Sequence, residues 1–244
     1  FAISSQNLTG ALKWNTDLTV SHNKGTFALI PTRNKMQKQS GLYENEIFKM
    51  IEGEKLGTFW GYTYEGVWKT AEMTEQVIGL DGNSLGKTNK ELYGVVPGQA
   101  KYKDVNKDGL YNDADQGIIG NGQPVLNWGW NNSLSYKNFD LGLFIIGFHG
   151  FDIYNASKAI SFGIISGQAV DVVTPNPEFK NRWTTQNENS DIPGFVSETK
   201  PLRGAYSTRF VEKGDFVKVK SITLGYNLNQ KICKTLAIDN FKIY

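Results

Sequence analysis

The sequence predicts an all-β chain that forms part of a large antiparallel transmembrane β-barrel with long extracellular loops. Three observations predict it. The periodic segments run to roughly 9–11 residues, which is spanning length rather than the five or six of an ordinary strand. Aromatic residues gather near the ends of those segments, at Trp128, Trp130, Tyr136 and Tyr226, where interfacial girdles belong. Very short connections also alternate with very long ones, as in barrels with tight turns on one side and extended loops on the other.

Taken in order, "ALKWNTDLTVSH" places Leu12, Trp14, Leu18 and Val20 on one face and Lys13, Asn15, Asp17 and Thr19 on the other. "GTFWGYTYEGVW" alternates Trp60, Tyr62 and Tyr64 with Gly61 and Thr63 and reads as a further strand. In "LNWGWNNSLSY", Leu126, Trp128, Trp130, Leu134 and Tyr136 alternate with Asn127, Gly129, Asn131, Ser133 and Ser135. "FDLGLFIIGF" follows after only Lys137-Asn138, so these two strands form a hairpin. "DFVKVKSITLGYNL" sets Ile222, Leu224 and Tyr226 against Ser221, Thr223 and Gly225. A soluble sandwich turns the apolar face inward and the polar face to water. A barrel turns the apolar face to lipid and the small, polar face to the lumen. Segments 69–124 and 149–215 are too long for ordinary sandwich loops. The barrel reading therefore puts Leu126, Trp128, Trp130, Leu134, Leu141 and Leu143 toward lipid, and Asn131, Ser133 and Ser135 toward the lumen. It puts Lys137-Asn138 and "NLNQKICKTLAIDN" on the periplasmic side, with 69–124 and 149–215 outside.

Composition agrees. Among 244 residues there are 26 Gly and 13% aromatics, and mean hydropathy is -0.39, a β-rich mixture. A formal charge of +2 gives no basis for a nucleic-acid partner. One cysteine, Cys233, excludes a disulfide framework within the chain. The start at Phe1 carries no signal-peptide pattern, and no apolar run has the length of a membrane helix. The chain reads as a fragment that starts mid-pattern.

The stretch "YKDVNKDGLYNDAD" holds the densest chemistry. With Asp104 as position 1 of a calcium loop, Asn106 falls at 3, Asp108 at 5 and Gly109 at 6. The Leu110 carbonyl then falls at 7, Asn112 at 9 and Asp115 at 12. Alternate oxygen ligands converge on a hard cation because Gly109 permits the sharp turn. Asp and Asn also favour such turns without any ion, so an Asx-rich turn explains the same residues. The flanks are not amphipathic helices, which excludes an EF-hand. A dockerin-like module is excluded because only one such loop is present.

Catalytic chemistry finds little support. His22 and His149 each lie at or beside a strand end, without the partners of a triad or zinc site. Asp113 and Asp115 resemble a glycosidase pair only in type, and the calcium spacing accounts for them better. Cys233 falls in a short turn and carries no reactive signature. "GNGQP" and "GNSLG" lack the following helix that phosphate binding needs. Trp183, Phe148 and Phe151 are candidates for stacking on sugar rings, though packing between loops is the simpler expectation. "IYNASKAISFGIISG" suits a short helix in the second long loop.

Four segments go further. "GEKLGTFWGYTYEGVWKT", "PGQAKYKDVNKDGLYNDADQGIIGNGQP", "YKNFDLGLFIIGFHGFDIYN" and "STRFVEKGDFVKVKSITLGYNL" appear in this order across most of the chain. In them the sequence resembles the C-terminal part of SusC/RagA-type TonB-dependent outer-membrane transporters of Bacteroidetes; residues 1–55 match more loosely. The resemblance implies that residues 1–244 are a C-terminal part of a barrel of about 22 strands, without the plug domain or the final segment. It also implies an outer-membrane protein that imports glycans or peptides and is not an enzyme. The implied partners are a SusD-like surface lipoprotein, the TonB complex through the N-terminal part, the lipid bilayer and the oligosaccharide or peptide substrate. A secreted calcium-dependent glycan-binding β-domain is the alternative, using the same loop and aromatics. In either case Ca²⁺ on Asp104, Asn106, Asp108, Leu110 and Asp115 has a structural role.

Overall fold

The computed structural model describes residues 1–28, 36–38, 49–161, 177–194 and 206–244. They form two compact units: Phe1–Gly25, Gln123–Asp152 and Lys213–Tyr244 in one, Thr26–Gly122 and Ile153–Glu212 in the other.

The first unit is a six-stranded sheet whose spatial order equals its chain order: β1 (Ala2–Thr9), β2 (Leu12–His22), β3 (Leu126–Tyr136), β4 (Phe139–His149), β5 (Phe216–Asn227) and β6 (Lys242–Ile243). Every neighbouring pair is antiparallel. β2, β3 and β4 have 11 residues each. At about 3.3 Å per residue, such a strand is about 36 Å long, and a tilt of about 45° reduces its height to about 26 Å. That matches the apolar band of an outer-membrane barrel.

Register decides which side chains share a face, because the period is two. Trp130 lies opposite Leu18 and Ile145, and Leu134 opposite Trp14 and Leu141. Leu141 and Leu143 then meet Leu224 and Ile222. A continuous apolar face results. Ser133 lies between Asn15 and Gly142, and Asn131 between Asp17 and Phe144, on the opposite, polar face. The expected division of faces is present, with two departures. Asn132 sits in the apolar row, opposite Thr16 and Leu143. Phe144, Ile146 and Phe148 lie in the polar row of β4.

The hairpin at Lys137-Asn138 forms as expected, with Lys137 at a left-handed φ of 52°. The Asn138 amide donates to the Asn227 carbonyl, and the Asn227 N–H donates to the Asn138 carbonyl, which ties the turn to β5. The connection 228–241 differs from the short turn expected. It folds a helix over Gln230–Thr235, started by Asn229, whose side chain accepts from the Lys231 N–H. Antiparallel alternation brings residues 10–11, 137–138 and 228–241 to one end of the sheet, while both long connections leave from strand ends at the other.

Those long connections build the second unit, which has its own cores. Residues 58–67, read from sequence as a spanning strand, belong here instead. Thr58–Tyr62 pairs with Gln116–Asn121, and Tyr64–Val67 pairs with Ala100–Tyr102. The reason is burial on both faces. Thr58, Phe59, Gly61 and Tyr62 are all buried, and a Cβ on Gly61 would lie against the Tyr206 carbonyl. A spanning strand has one face in lipid, so this segment does not qualify. The first long connection thus runs from residue 23 to 125 rather than from 69. One core joins Trp68, Met73, Val77, Tyr93 and Val95 with Leu92 and Tyr111. A second packs Phe59 and Ile119 with Tyr154, Tyr206 and Val211, and a third packs Ala159 and Phe210 with Phe179 and Ile192. The expected helix in the second connection is present over Ala156–Ser161. Among the described residues, no helix is long and apolar enough to cross a membrane.

Candidate functional site

The acidic turn lies between the strand Ala100–Tyr102 and the strand Gln116–Asn121 of the second unit. Positive φ at Lys107 (58°) and Gly109 (80°) folds the chain back over Asp104. Gly109 is required there, since a Cβ would also lie 2.4 Å from the Leu92 Cγ. Asp104 then accepts the Lys107 N–H at 2.6 Å on one oxygen and the Gly109 N–H at 2.9 Å on the other. Asp115 accepts the Val105 N–H at 2.8 Å and the Asn112 N–H at 3.0 Å. Both carboxylates are buried. Asp108 accepts the Leu110 N–H at 2.7 Å and the Asn106 amide at 2.9 Å. These two bonds, the backbone N–H first, hold its carboxyl below the usual range.

The turn is therefore closed by peptide amides. Asp104, Asn106, Asp108 and Asp115 fall in one loop, as their spacing required. Carboxylate oxygens are what a hard cation uses, and here each of these carboxylates already accepts at least two hydrogen bonds. No group of three His, Cys, Asp or Glu side chains converges as a metal cluster among the described residues. The donor types fit calcium, and their aim is toward the backbone.

The turn rests on an aromatic cluster. Tyr93 and Tyr111 stack at 5.3 Å, and Trp68 lies 5.5 Å from Tyr93. Burial pushes the Tyr93 hydroxyl up, with the nearby Asp104 charge adding to it. Burial, then the neighbouring Tyr93, does the same to Tyr111. Tyr64 is pushed up to about 12, again by burial first, while Arg209 works against the shift.

His149 closes β4. Its Nε2 accepts the Trp128 indole N–H at 3.0 Å, and the two rings stack. Asp215 lies 3.8 Å from its Nδ1 and also accepts the Gly150 N–H. A carboxylate and an imidazole are thus aligned, but an indole donor occupies the nitrogen that a general base would use. The group ties a strand end, and the indole lies flat over Gly147, where a Cβ would come within 2.3 Å. Trp183 is only 8% exposed and packs on Gly98, so it presents no face to a sugar. Phe148 stacks on Phe216 at 5.1 Å and Phe151 meets the same ring edge-on. Cys233 is buried against the Leu228 carbonyl. Sequence reasoning missed one set of residues, the polar side chains around Asn132 on the apolar face. The signal was present: Asn132 breaks the alternation of β3.

The features that bear on function are thus the two-faced sheet and, as a separate unit, the folded connections, and known proteins resemble the chain in sequence and fold. No family model matches the chain. A TonB-dependent receptor of Formosa agariphila is 28% identical over 248 residues, covering 100% of this chain and 23% of the receptor. A second receptor of that organism is 29% identical over 243 residues, covering 93% and 21%. The chain thus spans less than a quarter of the length of these curated relatives. Among solved structures, the RagAB peptide transporter superposes with a TM-score of 0.70 at 13% identity, over 99% of this chain and 23% of that one. The RagAB importer in its "open-open" state gives 0.67 over the same share. The proteins matched are receptors and transporters, not enzymes. Sequence and fold together make this chain a homologue of the TonB-dependent receptors and a structural counterpart of one segment of the RagAB transporter.

Proposed function

We propose that the chain is a C-terminal section of the wall and external loops of an outer-membrane importer driven through TonB, with the plug and remaining strands supplied by the rest of a longer protein. The carrying observation is the meander of 11-residue strands with one face apolar except at Asn132 and Thr16. In this reading the apolar face meets lipid and the Ser/Asn/Gly face lines the lumen. The turn at 137–138 is periplasmic and the second unit is external. Cargo is an oligosaccharide or a peptide; the RagAB likeness brings a peptide into consideration without deciding between them. A SusD-like lipoprotein would cap the external unit. Membrane fractionation of cells making the full-length protein tests this, with electrophoretic mobility before and after boiling. A heat-modifiable band in the outer membrane is expected. Recovery in the soluble secreted fraction would instead support a calcium-dependent glycan-binding β-domain.

We propose also that calcium binds the 104–115 turn, through Asp104, Asn106, Asp108, the Leu110 carbonyl and Asp115. Its role is to tighten a turn already built by amides. Extracellular sites of this class bind at about 10⁻⁴–10⁻³ M, so calorimetry on metal-stripped protein must reach millimolar calcium. No heat at that concentration would leave an Asx turn that needs no ion.

A further inference from the structure

A cavity of about 540 Å³ opens in the first unit, at the end of the sheet that carries the Lys137-Asn138 turn. Three stretches wall it: the hairpin turn itself, Asn227–Gln230 with Cys233 after β5, and Asp239-Asn240 before β6. Hydrogen bonds fix these walls against one another. The Asn138 amide and the Asn227 N–H close the first joint. The Leu228 N–H donates to the Phe241 carbonyl at 2.8 Å, and the Ile238 N–H to the Cys233 carbonyl at 3.0 Å, which close the second. The Asn229 side chain accepts the Lys231 N–H at 3.0 Å. The cavity is thus built into the fold, and its volume falls within the range of about 300–1,000 Å³ usual for small-molecule sites.

Its lining is mostly side-chain amide, from asparagines on all three walls and from Gln230, with Leu228 and Cys233 the apolar contributions. Among the described residues no aromatic side chain lines it, so a sugar ring or a nucleobase finds no face to stack on. Several of the polar groups are unspent. The side chains of Gln230, Asp239 and Asn240 make no hydrogen bond among the described residues. The Asn138 Oδ1 and the Asn229 Nδ2 are left over once the walls are tied. Lys137 lies 5.2 Å from the centre of the Tyr136 ring, and neither it nor Asp239 has an ion-pair partner among the described residues.

A side-chain amide offers N–H donors and a carbonyl acceptor, the same groups that a peptide main chain presents in return. A cation from one wall and a carboxylate from another match the two termini of a short peptide. We propose that this cavity binds a short zwitterionic peptide, with its main chain on the asparagine and glutamine amides, its carboxylate toward Lys137 and its amino group toward Asp239. The site goes beyond the import reading given above; only its compartment, the periplasm, rests on that reading. Two sources share this chemistry there: peptides freed after import, and the peptide stems of the cell wall.

Calorimetry on the full-length protein in mild detergent tests this with tetraalanine, with its N-acetylated and C-amidated form, and with chitotetraose. Tetraalanine should bind, the capped peptide at least about tenfold more weakly, and chitotetraose not at all. Asp239→Asn, and Gln230→Ala combined with Asn240→Ala, should each weaken tetraalanine binding at least about tenfold. None of these side chains ties a wall, so heat modifiability should be kept. No tetraalanine binding by the wild type, equal binding of the capped peptide, binding of chitotetraose instead, or tetraalanine binding unchanged in both variants overturns the proposal. Co-sedimentation with intact cell-wall sacculi, but not with sacculi stripped of their peptides, would name the wall as the source. Tetraalanine binding without co-sedimentation would name freed cargo. A wild type lacking heat modifiability would remove the barrel reading and the periplasmic address, while the titration still decides the cavity.

Discussion

Replacing Ile222 with Arg gives the sharpest test of which face meets lipid. Ile222 is 68% exposed, sits at the middle of the 12-residue β5 and pairs with Leu143 on the apolar face. Because it is exposed, its removal leaves no cavity, and the change reports on the medium outside the protein. In lipid an arginine near the midplane costs roughly 2–4 kcal/mol, a loss of about 30- to 700-fold in the folding constant. In water, on the surface of a soluble sandwich, the same change falls within about 0.5 kcal/mol of neutral. Ser221→Arg is the matched control, one residue away, opposite Phe144 on the polar face, and should cost much less. Reversible urea unfolding of the full-length protein in liposomes measures both. Equal stability of Ile222→Arg and Ser221→Arg would refute either the register or the bilayer as solvent.

Three further outcomes follow from the second unit. Gly98→Ala should destabilise it by roughly 1–3 kcal/mol, since φ is +90° and a Cβ would lie 2.5 Å from the Trp183 ring; Gly53→Ala, with φ +85° and open space, should cost less. Resistance to protease, followed against urea, ranks the two. Asp115→Ala orphans the Val105 and Asn112 amides, at about 1–3 kcal/mol for each buried donor, and should raise hydrogen exchange at both. Tyr93 and Tyr111 ionise above the ordinary value of about 10. Raised folded values favour the neutral hydroxyl, so this stabilisation is complete below pH 10 and lost as pH rises through the folded values. Tyrosinate absorbance should appear together with loss of protease resistance, and simple titration without unfolding would contradict the packing.

Sheet geometry was legible in the sequence because alternation with period two is a local signal. Trp128, Trp130 and Leu134 announced their face, and Lys137-Asn138 announced a hairpin. What stayed hidden depended on contacts between distant residues. Phe59 and Tyr62 look like members of an alternating strand, yet partners at 116–121 and at Tyr206 bury both sides of it. One core of the second unit joins Phe59 and Ile119 of the first connection to Tyr154, Tyr206 and Val211 of the second, which no local window samples. Asn132 was readable as an exception in β3, but its hydrogen-bond partners Trp14 and Thr16 lie on β2. The acidic turn shows the limit of spacing alone: the spacing of Asp104, Asp108 and Asp115 is that of a calcium loop, while the amide partners of each emerge only from the backbone.

Phe59 and Ile119 come from the first long connection, and Tyr154, Tyr206 and Val211 from the second, yet all five share one core. This shared core cannot form before the hairpin between them has been delivered and both segments have reached the same compartment. In the proposed barrel, export of both connections must therefore be complete before this core condenses. For exchange of parts between homologues, the two connections act as one heritable cassette. A chimera that takes residues 26–122 from one parent and 153–212 from another inherits half of this core from each, so the pair is best transplanted intact.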